Sequence, residues 1–398
     1  MNAMSQESLP DGGPPKTSTS TRPLAELRRL VAHITARAPE IEAERGIPPD
    51  LIEALKSAGA FRLFVPHSAG GLELDLPAAV EAIATLARSD GSVGWNVMNA
   101  SGCSLFAAML PRETYERVYD NGPNTIIAGS NQPAGKAEAV GSGWRVSGRW
   151  PFVSGCRHAD WMFGLCTLSR NGEALADGDG KPLVQGCFLP AQDWKIEDTW
   201  HVVGLKGTGS HHISLQEAIV PTAHFFDLVN GTPCQPGPLY RAPRQLLPAL
   251  HGASSVGIAE GALDGLIAMA GTGRQQLKAA LPMRDSETFQ YELGRVAADV
   301  RAARAFLQVQ ATSHWRHALA GTLRDEALNI QGTQAAIWLA MTSVRVADAC
   351  FTLGGGGAVY ETSPLQRRLR DMHTAAQHAT AHQRHYVGAG RLLLNPIG

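Results

Sequence analysis

The 398-residue chain carries no surplus of charge, with 35 Lys and Arg against 36 Asp and Glu. That balance offers no general attraction to nucleic acid or to an anionic membrane surface, so neither is expected as a partner. Its six cysteines (Cys103, Cys156, Cys166, Cys187, Cys234 and Cys350) include no CxxC pair, and their scatter suits thiols packed as small core residues in a reducing compartment. No continuous apolar run approaches the roughly 20 residues of a membrane span. The opening stretch MNAMSQESLPDGGPPKTSTSTRP has neither the basic start nor the apolar run of a secretory signal. A cytoplasmic location is therefore expected, with residues 1–23 read as a disordered tail. Neither an HExxH nor a GxSxG motif is present, and no repeat of fixed period is visible.

What is present is a large apolar complement, 44% of the residues, enough for more than one packed unit. From Leu24 to about Tyr119 the pattern is helical, with Leu27, Val31, Ile34 and Ala38 at three-to-four spacing. A helix is predicted after Pro48-Pro49, started by Asp50 and closed by Gly59, with others over AAVEAIATLARSD and near Ser92–Leu110. From Gly122 short β-like runs take over: TIIAG, GWRVSGRWPFVSG, DWMFGLCTL, VQGCFLP, DWKIEDTW and HHISLQEAIVP. Turn residues separate them, which predicts a small barrel or sandwich. After about Pro243 long helices return, with Val296, Val300, Ala303 and Leu307 as a buried stripe and a helix from Asp325 toward Cys350. The expected division is a tail over 1–23, an N-terminal helical domain over 24–121, a middle β domain over 122–235 and a C-terminal helical bundle over 236–398. Helices, then strands, then helices is not the alternation of a doubly wound sheet.

Five segments carry chemistry or invite it. GLKGTGS (204–210) is followed by a strand-like run instead of a helix, so it reads as a tight inter-strand turn and not a dinucleotide loop. LGGGGAVYETSP (353–364) either ends a helix or lets backbone approach a ligand. Among His373, His378, His382 and His385, the pair His378 and His382 would share a helical face, yet no nearby carboxylate completes a metal site. That leaves a polar helix end, or one histidine acting as acid or base. GRWPFVSG (148–155) suggests an edge strand with a bulge. Trp95, Asn99 and Cys103 either pack between helices or line a pocket.

Four stretches, in their order and spacing, resemble the acyl-CoA dehydrogenase superfamily from Leu24 to Leu394: FRLFVPHSAGGLEL, GSNQPAGKAEAVGSGWRVSGRWPFVSGCRHADW, DTWHVVGLKGTGSHHISLQEAIVP and GGGGAVYETSPLQRRLRDMHTAAQH. The resemblance implies a mostly α fold with a central β domain: an N-terminal helical domain, a middle β-barrel and a C-terminal four-helix bundle. Dehydrogenases of that superfamily commonly carry a base glutamate in a Glu-Gly pair after the Arg-Asp that corresponds to Arg370-Asp371. Here the segment reads MHTAAQHATAHQRHY, without an acidic residue. WPFVSG with a late histidine is instead similar to the two-component (group D) flavin-dependent monooxygenases, such as 4-hydroxyphenylacetate 3-hydroxylase oxygenase components and dibenzothiophene monooxygenase.

That branch implies an oxygenase component that uses reduced FMN (FMNH2) or FADH2 and O2, without a metal, to hydroxylate an aromatic or heteroaromatic substrate of phenol or indole type through a C4a-hydroperoxyflavin. It implies a separate NAD(P)H-dependent flavin reductase and a homotetramer. By the same resemblance Ser154 lies at flavin N5 and His378 at the substrate, with His373 its rival, and these two carry the catalytic roles. Trp150, Phe152, Val153, Ser154, Arg274, Gly355 and Gly356 are expected at the cofactor, and Trp95, Asn99, Cys103 and His378 at the substrate. The alternatives are an FAD-dependent acyl-CoA dehydrogenase type of oxidoreductase, an N-hydroxylating amine oxygenase of the same fold, or a homologue that binds without turnover.

Overall fold

The computed structural model describes residues 21–277 and 279–395. Helix α1 (Thr21–Ala36) buries Leu27 and Ile34, and the chain breaks at Arg37 before α2 (Ala38–Glu44). The break has a local cause, since Pro39 has no N–H to extend α1 and its ring disfavours a continuous helix. Of the expected tail, residues 1–20 lie outside the described residues, and 21–23 already belong to α1. Then come α3 (Pro49–Ser57), with Gly59 beyond it at φ 84°, α4 (Leu76–Ser89), α5 (Gly91–Ala107) and α6 (Arg112–Val118). Asp75 and Asp90 cap α4 and α5 by accepting backbone N–H bonds from their first turns.

The middle strands are β1 (Ile127–Val140), β2 (Gly143–Val153), β3 (Trp161–Arg170), β4 (Glu173–Ala174), β5 (Val184–Pro190), β6 (Lys195–Glu197), β7 (His211–Pro221) and β8 (Phe225–Phe226). They form one mixed sheet in the order β6-β7-β2-β1-β3-β5-β8, with β4 on β3, and β1 runs parallel to β3. The middle β domain is thus a single mixed sheet, in which the outer strands β6 and β8 pair with β7 and β5 and not with each other among the described residues. β2 is central, between β7 and β1, and not an edge, although its pairing with β7 slips twice. Side chains alternate across β3: Trp161, Phe163 and Leu165 join the core shared with the helices, whereas Met162, Cys166 and Leu168 join a core made by the sheet and its own loops.

The chain closes with α7 (Leu247–Gly271), α8 (Glu287–Ala320), α9 (Glu326–Gly354), α10 (Pro364–Ala375) and α11 (Tyr386–Leu394). Leu266, Val296, Val300, Val346, Cys350 and Leu365 knit α7 to α10 together. By length and composition α7 and α9 are apolar enough to cross a membrane, which a search for unbroken apolar runs does not register. In the fold 67% and 50% of their most apolar windows are buried within the chain, as in core helices of a bundle.

Candidate active site

Helix α5 is buried all round except at Asn99, so the Trp95–Asn99 turn is where it meets an opening. Asn99 Nδ2–H donates to the Trp95 carbonyl at 3.2 Å. Trp95 Nε1–H donates to Ser154 Oγ at 3.2 Å. Ser154 reaches α5 because β2 ends irregularly: Phe152 sits at φ 61° and Gly155 at φ 75°, and the register with β7 slips between Trp150 and Val153. A left-handed phenylalanine costs on the order of 1–3 kcal/mol, a strain that concentrates at functional sites. It turns the Phe152 ring outward, 59% exposed, edge-on to Trp200 and His212.

The other side of the Trp95 ring meets two imidazoles. Its centroid lies 5.0 Å from that of His251 and 5.8 Å from that of His378, both in edge-on geometry. The two imidazoles lie 3.9 Å apart. Desolvation of its ring lowers the His378 pKa to about 4, although the residue as a whole is exposed. Burial, and then repulsion by His378, hold His251 well below its ordinary value. Both rings are therefore neutral near pH 7. The Thr380 N–H donates to His378 Nδ1 at 3.2 Å, which leaves the neutral ring's proton on Nε2. No hydrogen bond among the described residues engages the His251 ring.

His378 and His382 do not share a helical face. Helix α10 stops at Ala375, and each of the two caps a short 3-10 turn, His382 Nδ1 accepting the Arg384 N–H at 3.1 Å. His373 stays on α10, half exposed, with Nε2 2.7 Å from Asp348 Oδ1, outside the Trp95 cluster.

Behind Ser154 lies a string of hydroxyls supplied by the GLKGTGS loop. Ser154 Oγ is 2.7 Å from Ser210 Oγ, Ser210 Oγ is 2.7 Å from Thr208 Oγ1, and Thr208 Oγ1 donates to the Leu205 carbonyl at 2.8 Å. Helix α10 braces this loop. A side chain at Gly204 would come within 2.1 Å of the Arg370 carbonyl oxygen, so the two backbones touch there. The Leu205 N–H donates to Asp371 Oδ1 at 2.6 Å, and burial, reinforced by Asp90, pushes that carboxyl up to about 6.

The remaining expected residues fall into two other places. Trp150 and Val153 are fully buried in the sheet's own core, where Trp150 Nε1–H donates to the Leu165 carbonyl at 2.7 Å; their side chains support β2 and do not face α5. Arg274, Gly355 and Gly356 come together with one another: the Arg274 guanidinium packs on Gly357, its Nε is buried without a partner, and Gln276 donates to the Leu353 carbonyl at 2.9 Å. Gly355 adopts φ 58°, and the space beside Gly356 is open. Cys103, two turns beyond Trp95 on α5, is buried, and that burial pushes its thiol up to about 12.

Sequence reasoning missed His251, Thr208 and Ser210. His251 is a lone imidazole in the apolar segment LPALHGASSVGIA, and that isolation was the available signal. Thr208 and Ser210 lay within a loop read only for its glycines.

Residues 23–113 match the acyl-CoA dehydrogenase N-terminal domain family and residues 249–383 an acyl-CoA dehydrogenase C-terminal domain family. An indole-3-acetate monooxygenase from Pseudomonas putida is 33% identical over 362 residues, 90% of each chain. The oxygenase component of an FADH2-dependent resorcinol hydroxylase from a Rhizobium species is 30% identical over 387 residues, 92% of each chain. The structure of XiaF from a Streptomyces species, in complex with FADH2 and glycerol, superposes with a TM-score of 0.85 at 25% identity, covering 95% of this chain and 97% of that one. Together with a central mixed sheet that packs one face on the helices, these likenesses settle the family: the chain belongs to the flavin-dependent monooxygenases of the acyl-CoA dehydrogenase superfamily.

Proposed function

We propose that this chain is the oxygenase component of a two-component system, taking reduced flavin (FMNH2 or FADH2) and O2 to hydroxylate a small, flat aromatic or heteroaromatic substrate of phenol or indole type. The observation that carries this reading is Trp95, one ring that bonds Ser154 and packs edge-on with both His251 and His378. It makes one site of a hydroxyl suited to a flavin edge and two neutral imidazoles suited to a polar substrate atom.

The residues fit a flavin. Phe152 offers an exposed aromatic surface beside Ser154, and His212 Nδ1 and Arg274 Nε are buried polar atoms without partners among the described residues. The bound flavin supplies the activation of O2; the protein supplies placement, polarity and exclusion of water. Ser154 would meet the N5 edge of the ring. Arg274 would meet the phosphate, with Gly355 and Gly356 approaching a flavin held by a neighbouring subunit of a homotetramer. His378 would hold a substrate oxygen through its Nε2–H, which turns the expected base into a donor. His251, whose ring has no hydrogen-bond partner among the described residues, would accept a hydrogen bond from the substrate's polar hydrogen. Asn99, Cys103 and Trp95 would wall the substrate. A separate NAD(P)H-dependent flavin reductase would supply the reduced flavin, in keeping with relatives described as oxygenase components. The six free thiols suit a cytoplasmic setting.

The test mixes the protein anaerobically with FMNH2 and then with O2 and a panel of phenols and indoles, followed by product mass. A product with one added oxygen atom supports the reading. Flavin oxidation that yields only hydrogen peroxide with every compound, or oxidation of an acyl-CoA by tightly held FAD, would refute it.

A further inference from the structure

The hydroxyl string behind Ser154 has both ends fixed. At one end Trp95 Nε1–H, a group that only donates, gives its proton to Ser154 Oγ. At the other end the Leu205 carbonyl, a group that only accepts, lies 2.8 Å from Thr208 Oγ1. Each hydroxyl between them owns a single proton. Thr208 must direct its proton at the carbonyl, because otherwise two oxygen lone pairs would face each other at that distance. Thr208 then accepts from Ser210, and Ser210 accepts from Ser154. Ser154, Thr208 and Ser210 are all buried, so bulk water does not scramble this order, and aligned bonds in such a string reinforce one another. The Ser154 proton therefore points back into the protein, and the side chain offers the site only a lone pair.

We infer that Thr208 and Ser210 are positioning residues that make Ser154 a hydrogen-bond acceptor and thereby select reduced flavin, whose N5 carries a proton, over oxidised flavin, whose N5 offers only a lone pair. The inference rests on the placement of flavin N5 at Ser154 made under Proposed function. With reduced flavin the N5–H meets a waiting acceptor. With oxidised flavin two acceptors meet, and relieving the clash requires the whole string to turn over and Thr208 to abandon the Leu205 carbonyl. In an enzyme supplied by a separate reductase, this retains the incoming reduced flavin and favours release of the oxidised form.

The experiment measures dissociation constants for oxidised FMN in air and for FMNH2 under anaerobic conditions, on the full chain. Ser210→Ala removes the acceptor of the Ser154 proton. Thr208→Val removes the terminal donor at nearly constant shape. Thr208→Ser keeps the hydroxyl. Wild-type protein should prefer FMNH2. In Ser210→Ala and Thr208→Val the preference should fall about tenfold, the exchange of roughly one hydrogen bond, mainly through tighter binding of oxidised FMN. Thr208→Ser should keep the wild-type ratio, and in a Ser154→Ala background Ser210→Ala should change nothing further. Thermal unfolding midpoints establish that the variants are folded. An unchanged ratio, or an equal loss of both affinities, overturns the inference while leaving the oxygenase reading intact. Wild-type protein that binds neither form overturns both.

Discussion

The imidazoles of His251 and His378 lie 3.9 Å apart at an interplanar angle of 32°, brought together from the N-terminal part of α7 and from the segment after α10. Neither carries a charge near neutrality, and only one has its tautomer set by a backbone amide. Such a pair divides two tasks, donating a hydrogen bond to a substrate oxygen and accepting one from the substrate's polar hydrogen. His378→Ala is expected to lower hydroxylation by about 10²–10³-fold, within the range of general acid–base effects, while reduced-flavin affinity stays close to wild type. His251→Phe, which keeps a ring and removes the nitrogens, should lower turnover without weakening flavin binding. Groups that act as a unit are non-additive, so the double variant should be little worse than the worse single one. Single-turnover rates and flavin titrations on the three proteins check this, and fully multiplicative losses would show that the two rings act independently.

The same pKa values set a stability profile. His378 is lowered to about 4 from the ordinary histidine value of about 6.5, a shift muted by the residue's exposure, so between those limits the unfolded chain binds more protons than the native site. Stability therefore falls as pH drops through 6.5 toward 4. His158 and His211, each also held at about 4 by burial, add to the slope. His378→Asn should flatten the decline by one histidine's share and leave the remainder. Unfolding midpoints at several pH values in this window check the prediction, and a slope that matches wild type would mean the native site accepts the proton freely.

Much of this arrangement was legible before any coordinates. The helix–strand–helix order follows from periodicity alone, whereas the caps Asp75 and Asp90 emerge only from the structure. Ser154 was reachable through the resemblance of WPFVSG. The strand order of the sheet is not legible in the same way, because strand-like runs predict strands and not which of them are neighbours. The helical pairing of His378 with His382 failed because that segment closes its turns with imidazole nitrogens accepting backbone N–H bonds, which competes with a continuous helix. The resemblance of WPFVSG implies Trp150 at the cofactor, whereas the alternation along β2 sends its side chain to the sheet's own core. His251 joins the site only through packing of α7 on α5, a contact between residues 156 positions apart in sequence, for which a lone histidine in an apolar stretch gives no direction.

Trp95 links the two halves of the site, and its indole N–H is separable from its bulk. Trp95→Phe keeps an aromatic ring against the imidazoles and removes the donor to Ser154. Loss of one buried hydrogen bond costs about 1 kcal/mol, so the fold should survive with a slightly lower unfolding midpoint. Ser154 becomes freer to rotate, so more of the reduced flavin should be consumed without product. The ratio of hydrogen peroxide released to oxygenated product should rise while flavin binding changes little. An unchanged ratio would mean that this bond serves stability alone.

The position of Ser154 depends in turn on the side of β2 that faces away from α5. Trp150 fills the sheet's own core between Gly135, Gly148 and Gly164, each of which would place a Cβ within 3 Å of the indole. At Gly164 the nearest ring atom would be 2.5 Å away. The indole has no easy retreat, since it is fully buried, bonded to the Leu165 carbonyl at 2.7 Å and packed edge-on against Trp194. Gly164→Ala is therefore overpacked, at a cost of about 3 kcal/mol, the upper end of the usual range. Gly178→Ala, where a Cβ meets nothing within 4 Å, should change stability by less than about 0.5 kcal/mol. Urea denaturation compares the two at equal m values, and a Gly164→Ala protein as stable as the Gly178→Ala control would show that Trp150 can shift without penalty. Where Trp150 does shift, β2 and the left-handed turn at Phe152 should move with it, so Gly164→Ala should also weaken flavin binding, a loss that the Gly178→Ala control should not share.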